Sequence, residues 1–123
     1  MDLPPIVRRY LDAYNRRDAA EVAACVTDDV EFENISNFGQ SLSLKGRRDF
    51  AELAAKSAAM FVSRRQIVRV AVVQEDRVAL EIDWEGVPSG DVPGMPAGKP
   101  INLRGATFLT LRDGLISHIT DLS

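Results

Sequence analysis

The sequence predicts an α+β fold, with early helices covering one face of a strongly curved antiparallel sheet. Three observations predict it. Apolar residues recur at helical spacing before residue 30 and again around residue 50. β-Branched residues dominate from Ile67 onward, and Asp113-Gly114 marks a tight hairpin near the end. The 123 residues make one domain, 1–123, with 46% hydrophobic residues, enough to bury a core without metals or disulfides.

Pro4-Pro5 suits a helix start, because proline gives up only amide hydrogens that would be unpaired there. Ile6, Val7, Tyr10, Leu11 and Tyr14 follow as one buried stripe, which Asn15-Arg16-Arg17 ends. Asp18 with Glu21 reads as the cap of a second helix whose apolar face is Val22, Cys25 and Val26, closed by Thr27-Asp28-Asp29. Val30 to Asn34 alternates as a half-buried strand with Val30, Phe32 and Asn34 on one side. A loop containing Gly39 and Gly46 follows. Phe50, Leu53, Ala54, Ser57 and Phe61 mark a third helix. Ile67–Val73 and Val78–Glu85 read as strands joined by a polar turn. Four glycines and four prolines make residues 86–100 a long loop, a common form for a lid or binding element. Ile101–Leu111 and Leu115–Ser123 are the last two strands.

Composition narrows the function. One histidine and one cysteine cannot build a protein-only zinc site, and no cofactor is expected. Cys25 lies in an apolar run and reads as a buried, inert thiol. Net charge is −3, and the doublets Arg8-Arg9, Arg16-Arg17, Arg47-Arg48 and Arg64-Arg65 read as solvated faces, so nucleic acid is not an expected partner. No run is long enough to span a membrane, and no apolar core of signal-peptide length follows Met1, so a cytoplasmic location is expected.

Several segments resemble the nuclear transport factor 2 superfamily, and within it SnoaL-like proteins. Arg9-Tyr10-Leu11-Asp12-Ala13-Tyr14-Asn15-Arg16-Arg17-Asp18 resembles the first-helix signature. Asp28-Asp29-Val30-Glu31-Phe32 is similar to its first strand, and Lys45-Gly46-Arg47 to the start of helix three. Pro93-Gly94-Met95-Pro96-Ala97-Gly98-Lys99 with Arg104-Gly105 resembles a loop of SnoaL-like cyclases, and Asp113-Gly114-Leu115-Ile116 with Asp121 their last hairpin. The resemblance implies a cone of three helices and a bent sheet around one cavity, and a dimer through the outer sheet face.

Strand parity assigns side chains to that cavity. Leu80, Ile82 and Trp84 share one face and Glu81, Asp83 and Glu85 the other; adjacent unpaired carboxylates would cost several kcal/mol each to bury, so the apolar set faces inward. Likewise Leu103, Gly105, Thr107, Leu109 and Leu111 face inward in the next strand, and Leu115, Ser117, Ile119 and Asp121 in the last. Arg104 and Arg112 would then meet Glu81 and Asp83 outside. Phe108, Ile116 and Leu122 would form an outer apolar patch, which favours a homodimer. The expected lining is Tyr14, Phe32, Phe61, Leu80, Ile82, Trp84, Thr107, Leu109 and Ile119, with Met95 from the loop. It suits a small apolar molecule.

Asp121, Tyr10 and Asn34 are the candidate catalytic residues. A carboxylate beside Ile119 and facing Trp84 is poorly solvated, which raises its pKa and strengthens it as a base. Such a base takes a proton next to a carbonyl while a Tyr or Asn holds the enolate oxygen. By resemblance, SnoaL-like cyclases carry their acid/base aspartate at Asp121, but their helper histidine falls at Thr107. Ketosteroid isomerases carry an oxyanion tyrosine at Tyr10, yet Asn34 and Thr107 replace their acidic groups. Limonene-type epoxide hydrolases would need Arg and Asp where Ile82 and Trp84 stand. Each residue has a plainer reading as well. Asp121 would be a surface group on a frayed strand, the tyrosines helix-to-sheet packing, and Asn34 a strand-end group satisfying local backbone. Three functions follow: a cofactor-independent cyclase, isomerase or dehydratase acting on a small carbonyl compound, a non-catalytic carrier of an apolar metabolite, or a dimerisation module with a filled cavity.

Overall fold

The computed structural model describes residues 2–37, 39–90 and 94–123. Helix α1 (Pro5–Asn15) buries Ile6, Val7, Tyr10, Leu11 and Ala13. It stops where Arg17 turns to a φ of 59° and the Asp18 amide reaches back to the Ala13 carbonyl at 2.9 Å, satisfying a late helical carbonyl. The Asn15 side chain accepts from the Gln66 amide at 2.8 Å and ties this end to the sheet. Asp18 then caps α2 (Ala19–Ala24) by accepting from the Glu21 amide at 3.1 Å.

Strand β1 (Val26–Ile35) begins earlier than the alternation over Val30–Asn34 predicts. Thr27-Asp28-Asp29 does not close a helix: Val26 and Thr27 are buried within the strand while the two aspartates face water. Val26 therefore leaves the predicted face of α2, and Cys25 is its buried C-cap. A short edge strand, β2 (Leu42–Lys45), occupies the segment expected to be loop; three of its four residues are exposed, so it carries no apolar run to betray it. Helix α3 (Arg47–Ala59) ends before Phe61, which instead opens β3 (Phe61–Gln74). Strand β4 (Arg77–Pro88) extends into the expected 86–100 loop, and Asp91–Pro93 of that loop lie outside the described residues. Strands β5 (Ile101–Arg112) and β6 (Leu115–Leu122) meet at Asp113-Gly114, with φ of 54° and 78°, as the predicted hairpin turn requires.

The six strands lie in the order β2-β1-β6-β5-β4-β3. All pairs are antiparallel except β1 with β6, which run parallel. The helices pack on one face around a core that includes Val7, Val30, Val78, Leu80, Leu109 and Ile119. The parity assignments fail at the start of β6, where Leu115 pairs with Arg112, a residue of the outer face. A bulge pairs Thr110 with His118 but Leu111 with Ile116, so the extra residue turns Ile116 inward, where it is fully buried opposite Val26. Outside, Arg104 bridges to both Glu81 and Asp83 at 2.7 Å, as expected, whereas Arg112 pairs with Asp29 instead. Among the described residues, no helix is long and apolar enough to cross a membrane.

Candidate functional site

Register creates the site. Ala71, Leu80, Thr107, Asp121, Asn34 and Leu42 are successive partners across all six strands, forming one row on one face. Neighbours in such a row stand close enough to interact. The Thr107 hydroxyl donates to Asp121 Oδ1 at 2.8 Å, and Asn34 flanks the aspartate on the other side. The Asn34 carbonyl oxygen is buried without a hydrogen-bond partner. Gln66, Trp84 and Leu103 form a second row across β3, β4 and β5.

Two cavity lobes meet at this row. The larger, about 240 Å³, is lined by Phe61, Gln66, Ile82, Trp84, Met95 and Thr107, with Leu103, Leu122 and Ser123 among its other walls. The smaller, about 150 Å³, lies under the helices among Tyr10, Val22, Phe32, Phe50, Leu53 and Arg64. Tyr14, Asn34 and Asp121 line both, so they stand where the lobes join.

Burial pushes the Asp121 carboxyl up from 3.8 to about 6, while the Thr107 hydroxyl pulls it back. No nearby cation contributes to that shift. A carboxyl poised near neutrality can both take and return a proton in neutral water.

Tyr14 is held on three sides. Its hydroxyl accepts from Trp84 Nε1 at 2.9 Å, the Arg64 guanidinium lies 3.7 Å from its ring centroid, and Arg64 Nε donates to its backbone carbonyl at 3.0 Å. Indole is only a donor, so its bond does not use the phenol's own O–H, and the Gln66 side chain is the hydroxyl's other hydrogen-bond neighbour. Burial raises the pKa of Tyr14 and keeps it protonated, against the pull of Arg64 and Trp84. Tyr10 is buried at the inner end; burial raises its pKa well above the ordinary tyrosine value, with Asp121 adding to the rise.

Of the residues expected at the site, Asp121, Asn34, Tyr10, Tyr14, Phe32, Phe61, Ile82, Trp84, Met95 and Thr107 line one lobe or both. Leu80, Leu109 and Ile119 do not; each is at most 2% exposed and packed into the core, where neighbouring side chains cover it before the cavity begins. Pro93 of the loop motif lies outside the described residues. Sequence reasoning missed Gln66, Ser57 and, above all, Arg64. Arg64 looks like half of a solvated doublet, yet it is 4% exposed because α1 and α3 close over it. No group of three or more metal-ligating side chains occurs among the described residues.

Comparison with known proteins agrees with this architecture. The profile of the SnoaL-like domain matches residues 7–119. No curated protein shows significant sequence similarity to the chain. Among solved structures, a protein of ketosteroid isomerase-like fold from Catenulispora acidiphila DSM 44928, in complex with trimethylamine, superposes with a TM-score of 0.81 at 20% identity, covering 98% of this chain and 85% of that one. A polyketide cyclase candidate from Xanthomonas campestris pv. campestris gives 0.76 at 27% identity, covering 96% and 87%. An epoxide hydrolase of the LEH-like type from M. tuberculosis gives 0.76 at 18% identity, covering 97% and 80%.

Proposed function

The chain belongs to the SnoaL-like domain family, and from that premise we propose that it is an acid–base enzyme acting on a small carbonyl compound, with Asp121 as its base. One observation carries the reading: a carboxyl raised to about 6 by burial stands at the junction of two cavity lobes, beside a phenol that burial keeps protonated. The Asp121 carboxylate takes a proton from the carbon next to the carbonyl. Tyr14 donates a hydrogen bond to the oxygen where negative charge develops, and Thr107 fixes the carboxylate. Asn34 offers a second contact to the substrate, and Tyr10 closes the inner wall. The proton then returns to carbon in an isomerisation, or to oxygen in an aldol closure or a dehydration.

Hydrogen–deuterium exchange at the α-carbon of 2-tetralone, followed by NMR in D2O, tests the chemistry without the natural substrate. The wild-type protein should accelerate exchange, and Asp121→Asn should lose about 10²-fold or more of it, while quenching of Trp84, the single tryptophan, still reports binding. Equal exchange by both proteins would reject the base. Binding with no acceleration over buffer would make the chain a carrier.

Assembly is proposed as a homodimer through the outer sheet face. Phe108 is 45% exposed there, in a row with Val72, which is 59% exposed. Light scattering at micromolar concentration checks it, and a monomeric mass would end it.

A further inference from the structure

Arg64 is the least expected charge in the molecule. It is 4% exposed, and it lines the smaller lobe, whose walls include Val22, Phe32, Phe50 and Leu53. Nε donates to the Tyr14 carbonyl at 3.0 Å and Nη1 to the Ser57 hydroxyl at 3.0 Å, both neutral acceptors. The Tyr14 side chain is its other polar neighbour, and among the described residues no carboxylate forms an ion pair with this guanidinium. The charge of Arg17, of the same sign, also acts on it and lowers its pKa. Burial lowers the pKa of Arg64, but a guanidinium starts so high that it stays charged at any pH where proteins fold.

A fixed charge in an apolar lobe is costly without a counter-ion. The one carboxyl lining the same lobe is Asp121, and Arg64 contributes nothing to its shift. The two ionisable groups therefore line one cavity without forming an ion pair with each other.

We propose that Arg64 is the anion-binding group of the smaller lobe, and that the ligand is an organic monocarboxylate whose apolar body lies against Phe32, Phe50 and Leu53. A carboxylate matches the planar guanidinium fork, with Ser57 beside it. A phosphate would bring up to two charges into walls that offer one guanidinium and one hydroxyl, leaving oxygens unpaired. With its carboxylate at Arg64, the chain of the ligand runs past Tyr14 toward Asp121, so the reacting carbonyl lies a few bonds from the acid group: a keto acid in type. The proposal rests on the cavity being the ligand site, as read above, but not on Asp121 being a base.

The test uses calorimetry on the full chain at pH 7.5 with hexanoate and with hexanamide, which matches it in shape without the charge. Hexanoate should bind about tenfold or more tighter than the amide, the usual scale of a charged hydrogen bond in a dry site. Arg64→Met should erase the preference while its near-ultraviolet circular dichroism stays native. Asp121→Asn should keep it. Equal affinities, a preference that survives in Arg64→Met, or no hexanoate binding at millimolar concentration would each overturn the proposal. If Arg64→Met does not fold, NMR of the wild type decides: hexanoate must shift the Arg64 guanidinium resonances, and unmoved resonances refute the contact. 2-Tetralone has no carboxylate, so the exchange assay and this one fail independently.

Discussion

Replacing Asp121 by Asn should stabilise the fold at neutral pH and not in acid. The native carboxyl holds its proton up to about pH 6, whereas the unfolded chain releases it near 3.8. The native state therefore binds more protons between these values, and stability falls as pH rises through that window. At about 1.4 kcal/mol per pH unit, the full loss is on the order of 3 kcal/mol, complete above pH 6. Asparagine does not titrate, and its Oδ1 can still accept from the Thr107 hydroxyl, so the contact at 2.8 Å has a neutral replacement. Urea unfolding of both proteins at about pH 4 and pH 7.5 reads the effect. The stability of Asp121→Asn relative to wild type should improve by about 2–3 kcal/mol from the lower pH to the higher, or roughly 10 °C in Tm. A difference between the two proteins that does not change with pH would show the carboxyl to be solvated, and the argument for a base would fall with it.

Two further outcomes follow from neighbours of Asp121 and Trp84. The rate of α-proton exchange should rise through about pH 6 in the wild type, and Thr107→Val, which removes the one contact that lowers the Asp121 pKa, should move that rise to higher pH; an unshifted profile would detach Thr107 from the base. Gly86→Ala would put a methyl about 2.8 Å from Cζ2 of the Trp84 indole, forcing the ring from its place beside Tyr14, so Trp emission should shift and ligand affinity should drop; an unchanged spectrum and affinity would mean that the indole does not need that position.

Much of the fold was legible because it obeys simple periods. The stripe in α1, the Asp18 cap and the Asp113-Gly114 turn each depend on a few adjacent residues. The same holds for Asp121, whose inward orientation follows from counting along β6 back from the end. Ile116 breaks the count because the bulge depends on pairing with β5 and β1, which no single strand encodes. Parity likewise shows that Leu80, Leu109 and Ile119 are buried but not whether they meet a cavity or other side chains, since that depends on how closely the helices approach. Arg64 was hidden for the same reason: its charge makes it a surface residue by any local rule. Only the placement of Tyr14 and Ser57, from two different helices, encloses it.

The row across the sheet also limits what the proposed chemistry can be. Position 107, where the resemblance to cyclases puts a histidine, holds a hydroxyl that donates to Asp121 and carries no charge of its own. Tyr14 stays protonated by burial, and Arg64 never gives up its proton. Asp121 is thus the one group at the junction able to take a proton near neutral pH and give it back. A base without an acid partner must return what it removes, and it does so from the face of the substrate on which it stands. Opposing pulls on that single carboxyl then set the rate: burial makes it a stronger acceptor, and the Thr107 hydroxyl keeps it ionised at neutral pH so that the acceptor is available. The substrate's acid group, fixed at Arg64 in the smaller lobe, would choose which carbon faces it.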